Sequence, residues 1–319
     1  MRPSCHVRVS RLGPRAPTQQ RFVSLAAMPH AAFTRRDAQF VWALSVLQLI
    51  SWGSVFYGFA LFMVPLEQAL GMSRADSSLG FSLMLLAEGV LAFPVGRWID
   101  RGHERAVMTG GSLVVGLALL AHSRVTTVAE FYAVWTLLGV GLAGTLYPPA
   151  FAVLTRRFPQ HFRRAIIMLS FLGGLASTVF IPLVAWLIDS WGWRDALLIL
   201  GVMHLLVCVP VHGLLLRDAP QRAVLAASHA QTHTDTHTLM GYLRQPTFWQ
   251  LALFVVLLMG VTSALPAHMV SLLREAGMAE SWAIAVPASI GVLQVMGRLG
   301  LYVTEHRVDV HATNRWVTL

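Results

Sequence analysis

Glu88 is the side chain whose chemistry most needs an explanation. It lies in the apolar run SLGFSLMLLAEGVLAFP, and a carboxylate inside hydrocarbon is costly unless it faces a protein interior or carries a proton. Two roles stay open for it: proton exchange, or a structural hydrogen bond to a neighbouring helix. His229, His233 and His237 recur every four residues, a spacing that aligns three imidazoles on one helix face as metal ligands would be. No nearby cysteine or firm carboxylate geometry supports that set, and its Thr-rich surroundings read as a linker, so neither a metal nor a cofactor is expected. Ser170, His204 and His268 fall in apolar runs but form no compact nucleophile motif and no H-x-x-x-H pair. An intramembrane hydrolase is therefore the weaker alternative, and no enzyme is expected. Cys5 and Cys208 are too few and too far apart for a disulfide framework, and Cys208 reads as a small packing residue.

The elements that must position these groups are membrane helices. Of the 319 residues 55% are hydrophobic and only 12% charged, with a mean hydropathy of +0.61. A soluble domain carries about twice that charge density. The net charge of +9 does not point to nucleic acid, because the 24 basic residues, all arginine, sit mainly in short gaps between apolar runs. Runs of about twenty apolar residues imply an all-α polytopic membrane protein.

Eight helices are expected, over about 40–66, 79–95, 106–121, 130–154, 165–188, 196–216, 248–272 and 282–299. An amino-terminal tail (1–38) precedes them, a polar linker (217–246) divides the sixth from the seventh, and a polar tail (304–319) follows. Met28 offers an alternative start to Met1. With the amino terminus in the cytosol, 20 arginines fall in internal segments and four (Arg74, Arg124, Arg194 and Arg274) in external turns. The positive-inside rule favours that orientation, with both termini cytoplasmic. Pro148 and Pro149 are expected to break the fourth helix after Gly139, Gly141 and Gly144, which a membrane tolerates only beside protein or a water-filled cavity. Trp52 and Tyr57 in the first helix, Tyr147 beside that break and His268 in the seventh helix are candidate pocket walls; ordinary packing is the alternative for each.

Between the second and third helices lies VGRWIDRGHER, residues 95–105. Its charges cannot lie in hydrocarbon, so it reads as a tight turn on one membrane face. The segment resembles the G-x-x-x-D-R-x-G-R-R signature of the major facilitator superfamily, with Gly96, Asp100, Arg101 and Arg105 in place. Gly102 falls one position early, and Glu104 replaces a basic residue. The segments WGSVFYGF, LYPPAFAVL, RRAIIMLSFLGGLASTVFIPL and GWRDALLILG are similar to bacterial facilitators of the monocarboxylate and oxalate-formate branch, over about residues 38–303.

That resemblance implies two six-helix bundles rocking about a central solute site. Here it supplies a first bundle (39–216) and the first two helices of a second (247–303), as though the chain were truncated after helix eight. It implies secondary transport of a small organic solute, an organic anion by analogy, in a bacterial inner membrane. In that reading Glu88 exchanges protons, while Gly96, Asp100, Arg101 and Arg105 shape the inner turn and influence gating. The Gly-Pro pair of drug antiporters is missing beside Gly173 and Gly174. Monocarboxylate carriers place an acidic residue and an arginine in helix eight; here there is no acidic residue, and Arg298 is expected near the helix end. The rival readings are a truncated membrane protein that does not transport, a receptor or scaffold, and a chain whose missing helices come from a partner.

Overall fold

The computed structural model describes residues 33–217, 241 and 243–304, with side chains through residue 300. All regular secondary structure among them is helical. The chain enters α1 (Arg35–Ser51) through a capping box, in which the Asp37 amide donates to Thr34 Oγ1 at 3.2 Å and the Thr34 amide donates to Asp37 at 2.9 Å. This satisfies two amides that an uncapped helix leaves unpaired. The tail expected to reach residue 38 is thus helical from Arg35. A π-helical turn, Trp52–Tyr57, leads into α2 (Phe59–Leu70), which continues past Pro65 and stops at Gly71 with φ 62°.

A second capping box, Ser73 with Asp76, opens α3 (Arg74–Asp100). The external loop expected here is therefore only a turn between Leu70 and Arg74. At its far end α3 runs on to Asp100 and α4 starts at Glu104, so only residues 101–103 of the polar segment expected as a turn are non-helical. The chain reverses around Gly102, whose φ of +85° suits a residue without Cβ. Next come α4 (Glu104–His122), α5 (Val128–Ala143) and α6 (Tyr147–Arg157).

The expected break in the fourth stretch is present but displaced. It falls at residues 144–146, and Pro148 and Pro149 lie in the first turn of α6, where a missing N–H costs no hydrogen bond. Gln48 Nε2 donates to the Thr145 carbonyl at 2.5 Å, so α1 satisfies one of the groups that the break releases.

The chain continues through α7 (Phe162–Gly174), α8 (Ala176–Met203), a second π-helical turn (His204–Cys208) and α9 (Val209–Leu215). Inside α8 only Gly192 departs from helical geometry, with φ 81° and ψ 163°; the turn expected over DSWGWRD contracts to that residue. Two long helices follow, α10 (Pro246–Glu275) and α11 (Glu280–Thr304).

Among the described residues, seven stretches are long and apolar enough to cross a membrane, the longest being Phe162–Leu215 with 54 residues. The fold is an all-α polytopic membrane bundle. Large apolar side chains lie outside as well as inside: Leu86, Val90 and Phe93 on α3 are 63%, 66% and 67% exposed, as suits a lipid solvent. One core cluster centres on Phe59, which stacks on Phe81 at 4.6 Å and meets Trp135 edge-on at 5.0 Å. A second gathers Phe40, Leu44, Ile99, Met108, Leu154 and Leu169. Buried polar pairs cross between helices: Ser54 Oγ with His204 Nε2 and Ser112 Oγ with His212 Nδ1, each at 2.8 Å. Cys208 is buried and free, as expected of a packing residue.

Candidate solute-binding site

The first π-helical turn carries three of the aromatic side chains of the site. Widening the helix inserts an extra residue per turn, which re-aims side chains, and such bulges gather at functional positions. Trp52 packs edge-on against Phe56 at 5.0 Å, and Phe56 against Tyr57 at 5.6 Å. Across the bundle Trp52 meets Tyr147 at 5.1 Å, and Tyr147 stacks on Phe151 at 5.3 Å. The interruption at 144–146 makes this possible by setting Tyr147 at the start of a new helix, out of register with α5. Gly173 on α7 leaves room for it, since a Cβ there would stand 2.6 Å from the Tyr147 hydroxyl.

Helix α11 completes the cluster. Arg298 is half-buried and donates to the Ser170 carbonyl of α7. The Tyr147 hydroxyl faces its guanidinium, and the Tyr57 hydroxyl faces Gln294 one helical turn earlier, with Arg298 close by. Gly174 gives the arginine its space: a Cβ there would lie 2.7 Å from Nη1. Thr178 Oγ1 donates to the Ala288 carbonyl at 2.7 Å, fixing α11 against α8. Arg298 has no ion pair with any carboxylate among the described residues. It is thus a cation held by one carbonyl and faced by two phenols.

Three of the four residues singled out as pocket walls, Trp52, Tyr57 and Tyr147, come together here. His268 does not. Its ring lies 6.2 Å from Phe59, and its carbonyl accepts from Ser271, whose hydroxyl in turn accepts from Arg74 at 3.1 Å. Arg74 also pairs with Glu67 and Glu275, each at 2.9 Å, so His268 belongs to a polar link joining α2 and α3 to α10. Arg298 and Gln294 were not singled out from sequence; with helix eight expected to end at residue 299, Arg298 read as a residue of the helix end. With α11 running to Thr304, both stand inside the helix, and their spacing of four was the available signal.

Glu88 lines a separate small cavity of about 70 Å³ between α3 and α6, with Ala92, Pro148, Pro149 and Ala152 among its walls. Its carboxylate is half-buried and makes no hydrogen bond or ion pair among the described residues. The structural hydrogen bond weighed for it is therefore not found there. Tyr147 and Pro148 are adjacent, so the start of α6 is common to the Glu88 cavity and the aromatic cluster.

In the turn between α3 and α4, Asp100 and Arg101 are exposed and Gly96 is half-buried. Arg105 Nε donates to the Gly213 carbonyl at 2.8 Å, tying the turn to α9. The principal ion pair there is one the sequence reading passed over. Glu104, almost fully buried, meets Arg156 Nη1 at 3.2 Å, and Arg156 also donates to the Ile99 carbonyl. Of the residues weighed for a hydrolase, Ser170 Oγ donates to the Ile166 carbonyl, and His204 is buried against Ser54. His229, His233 and His237 lie outside the described residues.

Comparison with known proteins agrees with this architecture. The chain is 25% identical over 271 residues to the uncharacterized MFS-type transporter YcxA of Bacillus subtilis, a match covering 82% of this chain and 63% of that protein. It is 33% identical over 166 residues to monocarboxylate transporter 13 of Bos taurus, covering 50% and 36% of the two chains. To the 4-hydroxybenzoate transporter PcaK of Pseudomonas putida it is 31% identical over 152 residues, 46% and 33% of the two. The matched part thus spans between about a third and two thirds of these relatives' length. Residues 41–317 match the Major Facilitator Superfamily over most of the chain, and the chain belongs to that superfamily.

Proposed function

We propose that this chain handles the solute in a secondary transporter whose cargo is a small organic anion bearing a carboxylate. The observation that carries the reading is Arg298, a half-buried cation in an apolar helix with no carboxylate partner among the described residues. Such a charge is costly within a membrane unless something compensates it. A carboxylate entering the cluster would supply the missing charge, and a guanidinium accepts that geometry through two parallel hydrogen bonds. Tyr57 and Tyr147 offer further donors, and the rings of Trp52 and Phe151 wall the rest of the solute. The relatives named for monocarboxylates and for 4-hydroxybenzoate share that carboxylate.

The transport cycle is alternating access, with the bundle 39–216 rocking against a second bundle to which 247–303 contribute two helices. The 54-residue stretch Phe162–Leu215 is about 81 Å long at 1.5 Å per residue, more than twice the ~30 Å of a bilayer core. It reverses at Gly192 and counts as two crossings, giving eight. The arginine distribution then sets both termini in the cytosol of a bacterial inner membrane. The remaining wall of the pocket comes from further helices of the same protein or of a partner. Glu88, in its own cavity against α6, exchanges protons as α3 and α6 move. Gly96, Asp100, Arg101 and Arg105 shape the inner turn, and the Arg74 link closes the outer side.

The test is uptake into proteoliposomes of a panel of small carboxylic acids and their uncharged amides, with and without a pH gradient. Acids are transported and amides are not, and Arg298→Gln weakens acid binding roughly a hundredfold, as for a buried charge that loses its partner. Glu88→Gln abolishes the response to the gradient while leaving binding intact. Equal handling of acid and amide, or an Arg298→Gln protein as active as the original, overturns the assignment.

A further inference from the structure

On another side of α3 lies a second, larger groove of about 540 Å³, formed with α4 and α5 beside the turn between α3 and α4. Its floor is Gly110, Val114 and Val140, and Trp98 forms one wall. The floor is deep because Gly110 has no side chain; a Cβ there would meet no atom within 4 Å. The groove opens sideways, and the exposed side chains of Leu113, Leu117 and Leu137 extend its apolar surface along the helices.

At the other end the groove meets charge. Arg101 and His103 stand at its mouth, both exposed and neither side chain bonded to any described residue. The other charges nearby are accounted for. Glu104 is buried against Arg156, Arg105 is bound to the Gly213 carbonyl, and Arg97 lies over the Phe93 ring. Asp100 is exposed and does not line the groove. Trp98 is 52% exposed at the rim, where an indole suits the boundary between headgroups and acyl chains.

An apolar channel open to the bilayer, with a cationic mouth at headgroup level, matches a molecule that is oily at one end and anionic at the other. We propose that this groove is a binding site for an anionic membrane phospholipid, with one acyl chain over Gly110 and Val114 and its phosphate on Arg101 and His103. Basic pockets between membrane helices recognise anionic headgroups in this way. The inference needs only that the chain lies in a bilayer, and it is independent of the solute assignment.

Native mass spectrometry of the full chain, released from nanodiscs of equal parts dioleoyl-phosphatidylglycerol and dioleoyl-phosphatidylcholine, tests it. The original protein retains phosphatidylglycerol preferentially. Arg101→Gln weakens that retention about fivefold, the effect of one surface cation on an anionic lipid, and His103→Gln weakens it less. Gly110→Phe fills the floor and displaces the lipid whatever its headgroup. Each variant is first checked for a monodisperse helical fold, and failure of one leaves the other decisive. Equal retention of the two lipids, or unchanged retention in both variants, overturns the proposal. So does glycerol phosphate competing as well as the intact lipid. A Trp98→Cys protein that cross-links to a second copy and excludes lipid gives the groove to a chain–chain interface instead.

Discussion

The first membrane span, α1 with α2, and the helix α10 are built from similarly apolar sequence and packed in opposite ways. In Arg35–Leu70 most of the apolar span is buried, whereas in Pro246–Glu275 none of it is. Only Ala267, Val270 and Ser271 of α10 reach the interior. Lipid is as apolar as leucine, so hydrophobicity drives a segment into the membrane without driving helices together there. Association depends instead on small residues that permit close approach and on polar groups that bond across helices. The first bundle has both: Gly139 and Gly141 where α5 crosses α3 and α4, and the Glu104–Arg156, Ser54–His204 and Ser112–His212 pairs. Along most of its length α10 has few of either; it packs on α2 and α11, and the Arg74 link ties its outer end to α2 and α3.

The contrast breaks most severely at Arg156. Arg156→Ala strands the nearly buried Glu104 carboxylate, and losing one partner of a buried ion pair costs about 3–5 kcal/mol. Unfolding in mixed micelles, followed by a probe on α4, should show that loss, and Glu104→Gln introduced alongside should recover much of it. A loss below about 1 kcal/mol would mean that the pair is solvated like a surface one. Gly139→Ala comes next. Its new methyl group would run into the Met84 carbonyl of α3, backbone that cannot swing aside, at a cost of about 1–3 kcal/mol. Gly260→Ala on α10 meets open space and should raise stability by less than about 1 kcal/mol, the propensity difference alone. Similar effects at the two glycines would erase the distinction between the regions.

Which parts could be read from sequence follows from the same physics. Apolar run length is set by bilayer thickness, so all-α membrane character and the approximate spans were legible. Helix ends were misplaced where capping boxes act, as at Ser73 and Asp76, because S-x-x-D extends a helix into sequence that looks like a loop. The break before Tyr147 was anticipated but set at the prolines themselves, which the structure instead accommodates in a first turn. Trp52, Tyr57 and Tyr147 were legible because aromatic residues stand beside small residues and a break. Arg298 was not, because an arginine near the end of an apolar run looks the same whether it reaches out to headgroups or inward to a carbonyl. His268 lies apart from the cluster, beside Phe59; depth along a helix does not reveal which neighbours a side chain meets. The π-helical turns had no sequence signal that could be used.

Ser54→Ala tests whether the two π-helical turns are coupled. Ser54 Oγ also donates to the Ile50 carbonyl at 2.7 Å, so its removal takes the partner from His204 without opening α1 itself. Interhelical hydrogen bonds in membrane proteins average about 0.6 kcal/mol, and a loss of that order is expected, smaller than at Arg156 or Gly139. Adding His204→Ala should then cost no further hydrogen-bond energy, only packing.

Arg74→Gln should have the smallest effect on stability and the clearest effect on arrangement. Arg74 and Glu275 are 38% and 59% exposed, so solvent screens their attraction to less than about 1 kcal/mol. Yet Arg74 is anchored by Glu67 of α2 and reaches both Ser271 and Glu275 of α10, so it joins the well-packed region to the sparsely packed one. Spin labels at the outer ends of α3 and α10 should report a broadened distance distribution in Arg74→Gln, with the unfolding midpoint nearly unchanged. Charge reversal at both positions, Arg74→Glu with Glu275→Arg, should restore the narrow distribution only if the ion pair matters more than the Glu67 and Ser271 contacts. If the distribution stays narrow in Arg74→Gln, α10 is held by its packing at Ala267 and Val270, and the two regions differ less than their burial suggests.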